Sequence, residues 1–308
     1  MTLPAEFALI ARHFRPLAGQ GGLDLADDAA LLTPPPGREM VLAADAMVAG
    51  VHFLPDDPPQ TIGRKLLRVN LSDLAAMGAD PLAYLMTVAL PRDTPDSWLE
   101  GFVAGLALDQ AEFGLQVLGG DTVSTAGPVS LSLTILGTVA PGQALRRGGA
   151  RPGDTLWVSG TIGDGHLGLR AARGEIADPD GVLASRYRLP TPRLALGRAL
   201  RGLATACMDV SDGLVQDLGH LCRASGCAAV LEAARVPLSR PAQDADLAAL
   251  LTGGDDYELL FALPPGAMPA PGMAITRIGH FTAGAAGVQV RDRTGQPMAL
   301  PQQGWSHF

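Results

Sequence analysis

The chain has 308 residues, 47% of them hydrophobic, which is enough to bury a sizeable core in about two domains. Its formal net charge of −8 argues against a broad nucleic-acid surface, since such a surface needs clustered Lys and Arg, and no apolar run approaches the ~20 residues of a membrane-spanning helix. The three cysteines have no metal-binding spacing and the N-terminus shows no signal-peptide pattern, so we expect a protein of the reduced cytoplasm with neither nucleic-acid nor membrane partners.

The first half of the chain alternates helical and strand patterns. Helices are predicted over residues 6–14, 61–77 and 97–113, and strands over 40–46, 82–90 and 129–139, with a further strand beginning at 116. The helix over 61–77 is expected in two parts, broken near Asn70, with Ser72 able to cap the second part. The alternation is typical of a layered α/β or α+β domain.

A stretch rich in Gly, Pro and Arg over residues 141–153 marks the predicted domain boundary. We therefore expect one domain over 1–140 and another over 150–308. In the second, the patterns predict strands over 155–159, 206–210 and 259–263 and helices over 166–173, 192–203 and 212–224. A glycine turn over 160–165 joins the first of these strands to the next helix.

Several common catalytic motifs are missing from the sequence. Lys65 is the only lysine and follows Ile-Gly-Arg, so the chain has no Walker A loop, no protein-kinase lysine and no Schiff-base lysine. It has no His-Glu-x-x-His zinc motif and no Gly-x-Ser-x-Gly nucleophile elbow.

Aspartates recur at the ends of the apolar segments. They are Asp27, Asp28, Asp45, Asp73, Asp121, Asp209, Asp212, Asp255 and Asp256. Taken singly, each is explained by a turn or a helix cap, and capping is at least as good an interpretation as ligation for Asp73 and Asp212. Taken together, carboxylates can converge on one cleft only when cations lie among them, and Mg²⁺ needs one or two carboxylates per ion. The set predicts several Mg²⁺ ions that hold a polyphosphate in a phosphoryl-transfer site without lysine.

Glycines and one histidine add weaker indications. The pairs at 119–120 and 253–254 let backbone approach a ligand closely, but a tight turn explains either pair equally well. The glycines of 160–165 could present N–H groups to an anion, although a plain strand-to-helix turn is the preferred interpretation. His52 could contact a substrate or be an ordinary hydrogen-bonded polar residue.

Eight sequence blocks occur in an order that is specific to one family. They are Asp-Asp-Ala-Ala-Leu-Leu from Asp27, Ala-Asp-Ala-Met-Val-Ala-Gly-Val-His-Phe from Ala44, Val-Asn-Leu-Ser-Asp-Leu-Ala-Ala-Met-Gly-Ala-Asp-Pro from Val69, Gly-Gly-Asp-Thr from Gly119, Ser-Gly-Thr-Ile-Gly-Asp from Ser159, Met-Asp-Val-Ser-Asp-Gly-Leu from Met208, Gly-Gly-Asp-Asp-Tyr-Glu-Leu-Leu-Phe from Gly253 and Trp-Ser-His-Phe from Trp305. Across almost its whole length the chain resembles the thiamine-monophosphate kinase family. The blocks over 70–81 and 253–261 are the most specific.

This resemblance implies a two-domain α/β (α+β) fold like that of aminoimidazole ribonucleotide synthetase. An N-terminal ATP- and metal-binding domain over 1–140 would pair in a homodimer, followed by a C-terminal α/β domain over 150–308. ATP and several Mg²⁺ ions would lie in a cleft between subunits and domains. The implied reaction is phosphorylation of thiamine monophosphate to thiamine diphosphate with ATP.

The resemblance also implies the site residues, position by position. Metal ligands are expected at Asp28, Asp45, Asp73, Asp121, Asp209 and Asp212 and at the backbone carbonyl of Ala44. ATP contacts are expected at Gly120, Asp121, Arg147 and Ser211, and substrate contacts at His52, Asp255 and Trp305. No general base is expected, because a phosphate monoester with a second pKa near ~6 is already mostly dianionic at neutral pH. We therefore expect direct in-line transfer with no phosphoenzyme.

The chain departs from the family's usual pattern at three places. Ala26 stands where Gly is usual before the acidic pair, which predicts a stiffer loop. Ala43 and Ala44 stand where Ser or Thr is usual, so a hydroxyl ligand is lost. Asp255 stands where Glu is frequent, which predicts a shorter or water-bridged substrate contact. Trp305 is either a stacking partner of the thiamine ring or a C-terminal tryptophan packed on the core.

Two other functions remain open from the sequence. One is another ATP-using enzyme of the same superfamily, although a selenophosphate synthetase needs a reactive cysteine near the N-terminus and the first cysteine here is Cys207. The other is a non-catalytic nucleotide-binding maturation protein, which would not need the complete set of aspartates.

Overall fold

The computed structural model describes residues 5–269, 272–300 and 304–305. It divides into two compact units, one of Met1–Leu74 and Asp80–Pro141 and the other of Ala75–Ala79 and Gly142–Phe308. Within the described residues, no helix is both long enough and apolar enough to cross a membrane. The functional roles predicted for the two domains stay predictions.

The chain up to Val139 builds a four-stranded sheet with helices. Its elements are α1 (Ala5–Leu9), a π-helical turn (Ile10–Phe14), two 3-10 helices (Arg15–Leu17 and Gln20–Leu25), β1 (Glu39–Val48), α2 (Pro59–Ala76), β2 (Asp80–Pro91), α3 (Asp96–Phe113), β3 (Val117–Thr125) and β4 (Ser130–Val139). The strand order is β1-β4-β2-β3, in which β2 and β3 are parallel and the other neighbours antiparallel. β1 and β3 are therefore the two edges of this sheet.

One face of this sheet is covered by α2, and the other face is partly exposed. β4 buries Leu131, Leu133 and Ile135 on the face against which Leu74 of α2 packs. Because side chains alternate along a strand, the intervening residues point outward. That outward face is partly apolar, and Leu42 on β1 is 62% exposed.

The second unit contains a six-stranded mixed sheet. Its elements are β5 (Thr155–Ser159), α4 (Asp164–Ala172), α5 (Val182–Arg188), α6 (Leu194–Ala199), β6 (Ala206–Val210), α7 (Leu214–Ser225), β7 (Ala228–Glu232), two 3-10 helices (Ala233–Arg235 and Arg240–Ala242), α8 (Leu247–Thr252), β8 (Glu258–Leu263), β9 (Ile275–Thr282) and β10 (Gly287–Arg291). The strand order is β10-β7-β9-β5-β8-β6, in which β10 and β7 are parallel and the other neighbours antiparallel. Every residue of β6 and β8 is buried, and Leu214, Leu218 and Leu221 of α7 join the same core.

One prediction for the first unit is wrong. α2 runs without a break, because the Asn70 side-chain amide donates to the Leu66 carbonyl inside the helix (2.9 Å) and leaves the helix intact. Ser72 is buried in the interior of α2 and caps no helix. The strands predicted over 40–46 and 82–90 lie within β1 and β2, whose bounds extend slightly further, whereas β3 and β4 each begin one residue after the predicted starts at 116 and 129.

In the second unit, the strands predicted over 155–159, 206–210 and 259–263 correspond to β5, β6 and β8. The helix predicted over 192–203 is shorter and is limited to α6, and the helix predicted from 212 begins two residues later as α7. The sequence analysis missed α5, α8, β7, β9 and β10. These elements have five to eight residues, which is too short for hydrophobic periodicity to separate helix from strand.

Candidate active site

A cavity of about 610 Å³ lies on the outward side of the four-stranded sheet. Asp28, Asp121, Thr87 and Ser132 contribute to its lining. The strand register aligns Thr87 with Asp121 on β3 and with Ser132 on β4, so these three residues form a row across the sheet. The cavity therefore offers carboxylate and hydroxyl oxygens side by side.

The glycine pair of β3 passes close to the neighbouring strand. A Cβ atom at Gly120 would collide with the Met86 carbonyl of β2, whereas at Gly119 it would make ordinary contact with Leu85. The sheet itself therefore requires glycine at 120. The tight-turn interpretation is wrong for this pair, because both glycines lie inside β3.

Asp28 follows an unusual stretch of backbone. Residues 23–25 have positive φ angles of 50°, 58° and 52°, and Ala26 returns to −117°. The Asp28 N–H then donates to Asp27 Oδ1 (2.9 Å). The left-handed backbone thus ends before Ala26. The φ angle of Ala26 is one that any residue can adopt, so its side chain causes no backbone strain.

Asp45 and Asp73 lie on the covered side of the sheet. Asp45 is in register with the buried Leu133 of β4, and its N–H donates to Asn70 Oδ1 on α2 (3.2 Å). Asp73 follows Asn70 by three residues and so lies on the same side of the helix. Both aspartates are half-buried. The capping interpretation of Asp73 is wrong, because this residue lies in the interior of α2.

The carboxylates of the first unit do not converge on one point. Asp45 is on the edge strand β1 and Asp121 on the opposite edge strand β3, separated by two strands. Three strand spacings of ~4.8 Å put their backbones about 14 Å apart. Across the part of the chain that the structure describes, no three His, Cys, Asp or Glu side chains are grouped so that they could hold one metal ion. Asp45 and Asp121 of one chain therefore cannot bind the same ion.

A short loop after β1 fixes the orientation of His52. The His52 N–H donates to the Val48 carbonyl (3.0 Å), and the Val48 N–H donates in return to His52 Nδ1 (3.0 Å). Because Nδ1 accepts a hydrogen bond, the neutral ring carries its proton on Nε2. The ring is therefore a directed Nε2–H donor, half-buried in the loop.

In the second unit, the loop between β6 and α7 carries three predicted site residues. Asp209 is buried near the end of β6, and Ser211 and Asp212 follow it. The backbone N–H groups of Ser211 and Asp212 both donate to Asp217 Oδ2 (3.1 Å each). Asp217 is buried in the first turn of α7 and holds this loop from inside. The capping interpretation of Asp212 is wrong, because the N-cap is Gly213 and no side chain caps α7.

Three carboxyl groups crowd at this loop. Burial, followed by repulsion from Asp209 and Asp212, raises the pKa of Asp217 to about 8, although its two backbone hydrogen bonds act in the opposite direction. A cation bound to Asp209 or Asp212 would weaken this repulsion. The loop is thus electrostatically suited to a positive ligand.

The segment 253–257 docks on the same loop. The Asp255 N–H donates to the Ser211 carbonyl (2.9 Å), and the Tyr257 N–H donates to the Val210 carbonyl (2.7 Å). Asp255 and Tyr257 have positive φ angles of 67° and 51°, a conformation that costs ~1–3 kcal/mol and persists only where the surroundings hold it. The structure therefore brings the predicted substrate residue Asp255 next to the predicted nucleotide residue Ser211.

The glycine turn before α4 is filled by the chain itself. Asp256, which is buried, accepts hydrogen bonds from the Gly163 N–H (2.9 Å) and the Gly165 N–H (3.1 Å). Burial raises the pKa of Asp256 well above its usual value, the two N–H groups lower it, and repulsion from Glu258 and Asp164 raises it. The alternative of an anion-binding loop is wrong, because a carboxylate of the protein already occupies these N–H groups.

Arg147 is exposed on a segment that is anchored to the end of α7. The Ser225 hydroxyl accepts two backbone N–H groups of that segment (3.2 and 3.1 Å). Burial lowers the pKa of His220 on α7, the positive charges of Arg223 and Arg147 lower it further, and Asp212 opposes them. Arg147 and Asp212 therefore both lie close enough to His220 to influence its pKa.

The backbone at Trp305 is tied to the same loop. The Trp305 N–H donates to the Asp212 carbonyl (2.9 Å), and Gln216 Nε2 donates to the Trp305 carbonyl (2.6 Å). Gly304 permits this approach, because a Cβ atom there would collide with the Gln216 side chain and the Asp212 carbonyl. Trp305 is 53% exposed. The interpretation as a tryptophan packed on the core is therefore wrong.

Sequence reasoning missed the residues that hold these loops. Asp217 stands between the buried Leu214 and Leu218 of α7, and an acidic residue on an apolar helix face is a signal that could have found it. Asp256 is recognised in the sequence as one aspartate among many, with no distinction from its neighbour Asp255. Gln216 carries no signal in the sequence, because its partner is a distant backbone carbonyl.

The chain is similar in sequence and fold to known proteins. The sequence matches the AIR synthase related protein family, with the N-terminal domain over residues 26–139 and the C-terminal domain over 151–289. The thiamine-monophosphate kinase of Caulobacter vibrioides is 45% identical over 322 residues, which cover 99% of this chain and 91% of that protein. The crystal structure of thiamine-monophosphate kinase from Stenotrophomonas maltophilia K279a has a TM-score of 0.83 at 39% identity, covering 96% of this chain and 98% of the other. AaThiL complexed with AMPPCP and TMP has a TM-score of 0.81 at 31% identity, covering 100% of both chains.

The two matched domains define a protein of the AIR synthase related class. Within that class, the chain belongs to the thiamine-monophosphate kinase family. The family, the two-domain fold class and the assignment as a kinase, all predicted from the sequence, are confirmed.

Proposed function

We propose that this kinase transfers a phosphoryl group from ATP to thiamine monophosphate and so forms thiamine diphosphate, with Mg²⁺ as cofactor. The observation that carries the proposal is the full-length likeness to AaThiL, a protein solved with AMPPCP and TMP. The hydrogen-bonded contact between the Ser211 loop and the Asp255 segment supports it, because nucleotide and acceptor residues must lie close together for transfer.

The donor set fits Mg²⁺. Carboxylate and hydroxyl oxygens line the cavity of the first unit, and Mg²⁺ prefers oxygen ligands and keeps several waters, so one or two carboxylates per ion suffice. The proposed ligands are the carboxylates and one backbone carbonyl of Asp28, Asp45, Asp73, Asp121, Asp209, Asp212 and Ala44. When bound, the ions would neutralise phosphate oxygens that otherwise repel one another.

The remaining site residues have distinct proposed roles. Arg147 and the backbone at Gly120 and Ser211 would bind the nucleotide, since an exposed guanidinium pairs well with phosphate. His52 would donate from Nε2 to the acceptor substrate, and Asp255 would bind it by a short or water-bridged contact. The exposed Trp305 ring offers an apolar, electron-rich face to a cationic heterocycle.

No residue needs to act as a general base in this site. The acceptor phosphate would be mostly dianionic at neutral pH, so the protein's task is to position two phosphate groups and offset their charge. We infer direct in-line transfer. Retention of radiolabelled phosphate on the protein after incubation with ATP alone would contradict this mechanism.

We also propose that a second copy of the chain completes the site. Asp45 and Asp121 lie at opposite edges of one sheet and on different faces of it, so one chain alone does not bring them to a common group of ions. The outward face of the sheet supports contact with a second copy. It carries the apolar side chains of Leu42, Leu85 and Val123 among small residues, and exposed apolar patches commonly mark interfaces.

The function is tested by incubating the purified protein with ATP, Mg²⁺ and thiamine monophosphate. The expected result is thiamine diphosphate in an amount equal to the ADP formed, and no product when EDTA removes the metal. Thiamine serves as the matched acceptor without a phosphate group. A higher kcat/KM for thiamine than for thiamine monophosphate would overturn the proposal.

A further inference from the structure

The single lysine of the chain lies beneath the His52 loop. Lys65 is the only lysine among 23 Lys and Arg residues. This position therefore keeps a lysine in a chain that otherwise uses arginine. Lys65 is 2% exposed, on α2. Burying an ammonium group is costly unless its N–H donors are satisfied. The position therefore has a specific use for a compact cationic donor, which a planar guanidinium does not reproduce.

That use is visible in its contact with the loop. Lys65 Nζ donates to the His52 carbonyl (3.0 Å), while the Val48 carbonyl and N–H engage the His52 N–H and Nδ1. The backbone on both sides of His52 and one ring nitrogen are thus held at the same time. The other ring nitrogen, Nε2, carries the proton of the neutral ring and has a defined direction.

The loop is closed by further short-range bonds. The Gly50 N–H donates to the Phe53 carbonyl (2.8 Å), and the Leu54 N–H donates to Oδ2 of the buried Asp57 (2.9 Å). These bonds fix the shape of the loop, and the contact from Lys65 fixes its position on α2. Losing that contact would let a well-formed loop shift as a unit.

We propose that Lys65 is a positioning residue for the acceptor substrate, acting through the His52 carbonyl. This inference rests on the proposed contact between His52 and thiamine monophosphate. It predicts that Lys65 governs affinity for the acceptor and leaves affinity for ATP unchanged. It also predicts that the Lys65 ammonium touches neither the substrate nor the transferred phosphoryl group, which agrees with its burial.

The test compares Lys65→Met with Arg68→Met. Both residues are buried cations on α2, but Arg68 pairs with Asp109 and Glu112 of α3, whereas Lys65 donates to the His52 carbonyl of the loop. Lys65→Met should raise KM for thiamine monophosphate about tenfold, with kcat and KM for ATP within twofold of the wild type. Lys65→Arg keeps charge and donors and should recover part of that affinity. Arg68→Met should lower the melting temperature without this split.

Two outcomes would overturn the proposal. One is a loss of kcat in Lys65→Met at unchanged KM for thiamine monophosphate, which would make Lys65 a contact of the reacting phosphates. The other is equal kinetic effects of Lys65→Met and Arg68→Met. Absence of turnover in the wild type would instead refute the proposed function, so the two failures are distinguishable.

A measurement on the wild type covers the case in which Lys65→Met does not fold. Lys65 is the only ε-amino group, so mass spectrometry of an amine-reactive label reports this site separately from the N-terminus. Thiamine monophosphate should slow labelling of Lys65 severalfold by holding the loop closed, whereas the same excess of thiamine should not. Unchanged labelling at a concentration that saturates binding by calorimetry would contradict the role of Lys65.

Discussion

The two units hold their acidic residues in different ways. In the first unit, Asp28 and Asp121 are exposed at a cavity. Asp121 Oδ1 accepts the Thr122 N–H, and the Asp28 N–H donates to Asp27 Oδ1. In the second unit, Asp217 and Asp256 are buried, and each accepts backbone N–H groups from a separate loop. The two exposed carboxylates are accessible to ligands, whereas the two buried ones act as internal anchors.

The difference has a physical cause. Water solvates an exposed carboxylate at little cost, so the protein can keep it ready for a cation. A buried carboxyl group loses that solvation, so N–H donors replace the water, and burial raises the pKa of both Asp217 and Asp256. Burial and hydrogen-bond partners therefore distinguish Asp217 and Asp256, which shape the loops around them, from the exposed Asp28 and Asp121.

The largest expected effect is that of Asp73→Asn in the first unit. If Asp73 binds Mg²⁺, turnover should fall by about 10²–10³-fold, as when other electrostatic contacts to a transition state are removed. The free energy of unfolding should stay equal or rise, because removing one charge weakens repulsion among the carboxylates without metal. Steady-state assays and urea unfolding measure both quantities.

Asp80→Asn is the matched control for that experiment. Asp80 is also partly buried, but it pairs with Arg38 (2.5 Å), so its replacement should lower stability by about 1 kcal/mol or less and spare turnover. Near-normal turnover in Asp73→Asn would remove Asp73 from the metal site. A large loss of stability in Asp73→Asn would show that Asp73 is an internal anchor, like Asp217 and Asp256 of the second unit.

The next effect concerns assembly through the outward face of the four-stranded sheet. Leu85→Glu places a charge on that face and should convert a dimer into a monomer with at least ~10-fold lower turnover, because burying an unpaired charge is unfavourable. Leu108 is similarly exposed but lies on α3, so Leu108→Glu should change neither property. Light scattering at micromolar concentration measures the mass. A monomeric wild type with full activity would contradict the shared site.

The sequence predicts the chain order of the main elements because their patterns are long. α2, α3 and β4 each span ten residues or more, enough for helical and strand periods to be told apart. It also singles out the aspartates that we propose as ligands, since the family blocks surround them. Short strands such as β7 and β10 follow from pairing with distant neighbours, which a local pattern does not contain.

The way the loops are held was beyond the sequence for a similar reason. Asp217 and Asp256 bind backbone N–H groups, and a backbone group has no identity in the sequence. The separation of Asp45 from Asp121 likewise depends on the strand order. Such facts come from topology, so a list of conspicuous aspartates could not say which of them meet.

A smaller effect is expected from the pH dependence of stability. In the unfolded chain an aspartate titrates near ~3.9, and burial raises the pKa of Asp256 well above that value in the folded protein. Between the two values only the folded state holds the proton. The free energy of unfolding should therefore fall as pH rises from 5 to 8, by at most ~1.4 kcal/mol per pH unit for this one group.

Urea unfolding of Asp256→Asn without Mg²⁺ tests this sign. The slope against pH should be flatter than in the wild type, with a remaining decline toward pH 8 from Asp217, whose pKa is raised to about 8. Asp292→Asn is the control. The hydrogen bond from the Thr294 side chain is the main cause that lowers the pKa of the exposed Asp292, so Asp292 should not titrate in this range. Equal slopes in Asp256→Asn and the wild type would show that Asp256 is charged when folded.

The smallest effect is expected where the second unit holds a residue by an exposed contact. Gln216 donates to the Trp305 carbonyl (2.6 Å) at the surface, and one such hydrogen bond contributes a net ~0.5–1.5 kcal/mol. Gln216→Ala should therefore raise KM for thiamine monophosphate by about 2–10-fold with KM for ATP unchanged, and Gln243→Ala, an exposed control, should change neither. Equal increases for both substrates would show that Gln216 supports the Asp212 loop as a whole. In that case Trp305 would be a further part of the internal anchoring that distinguishes this unit, and its ring would not be the stacking partner of the substrate.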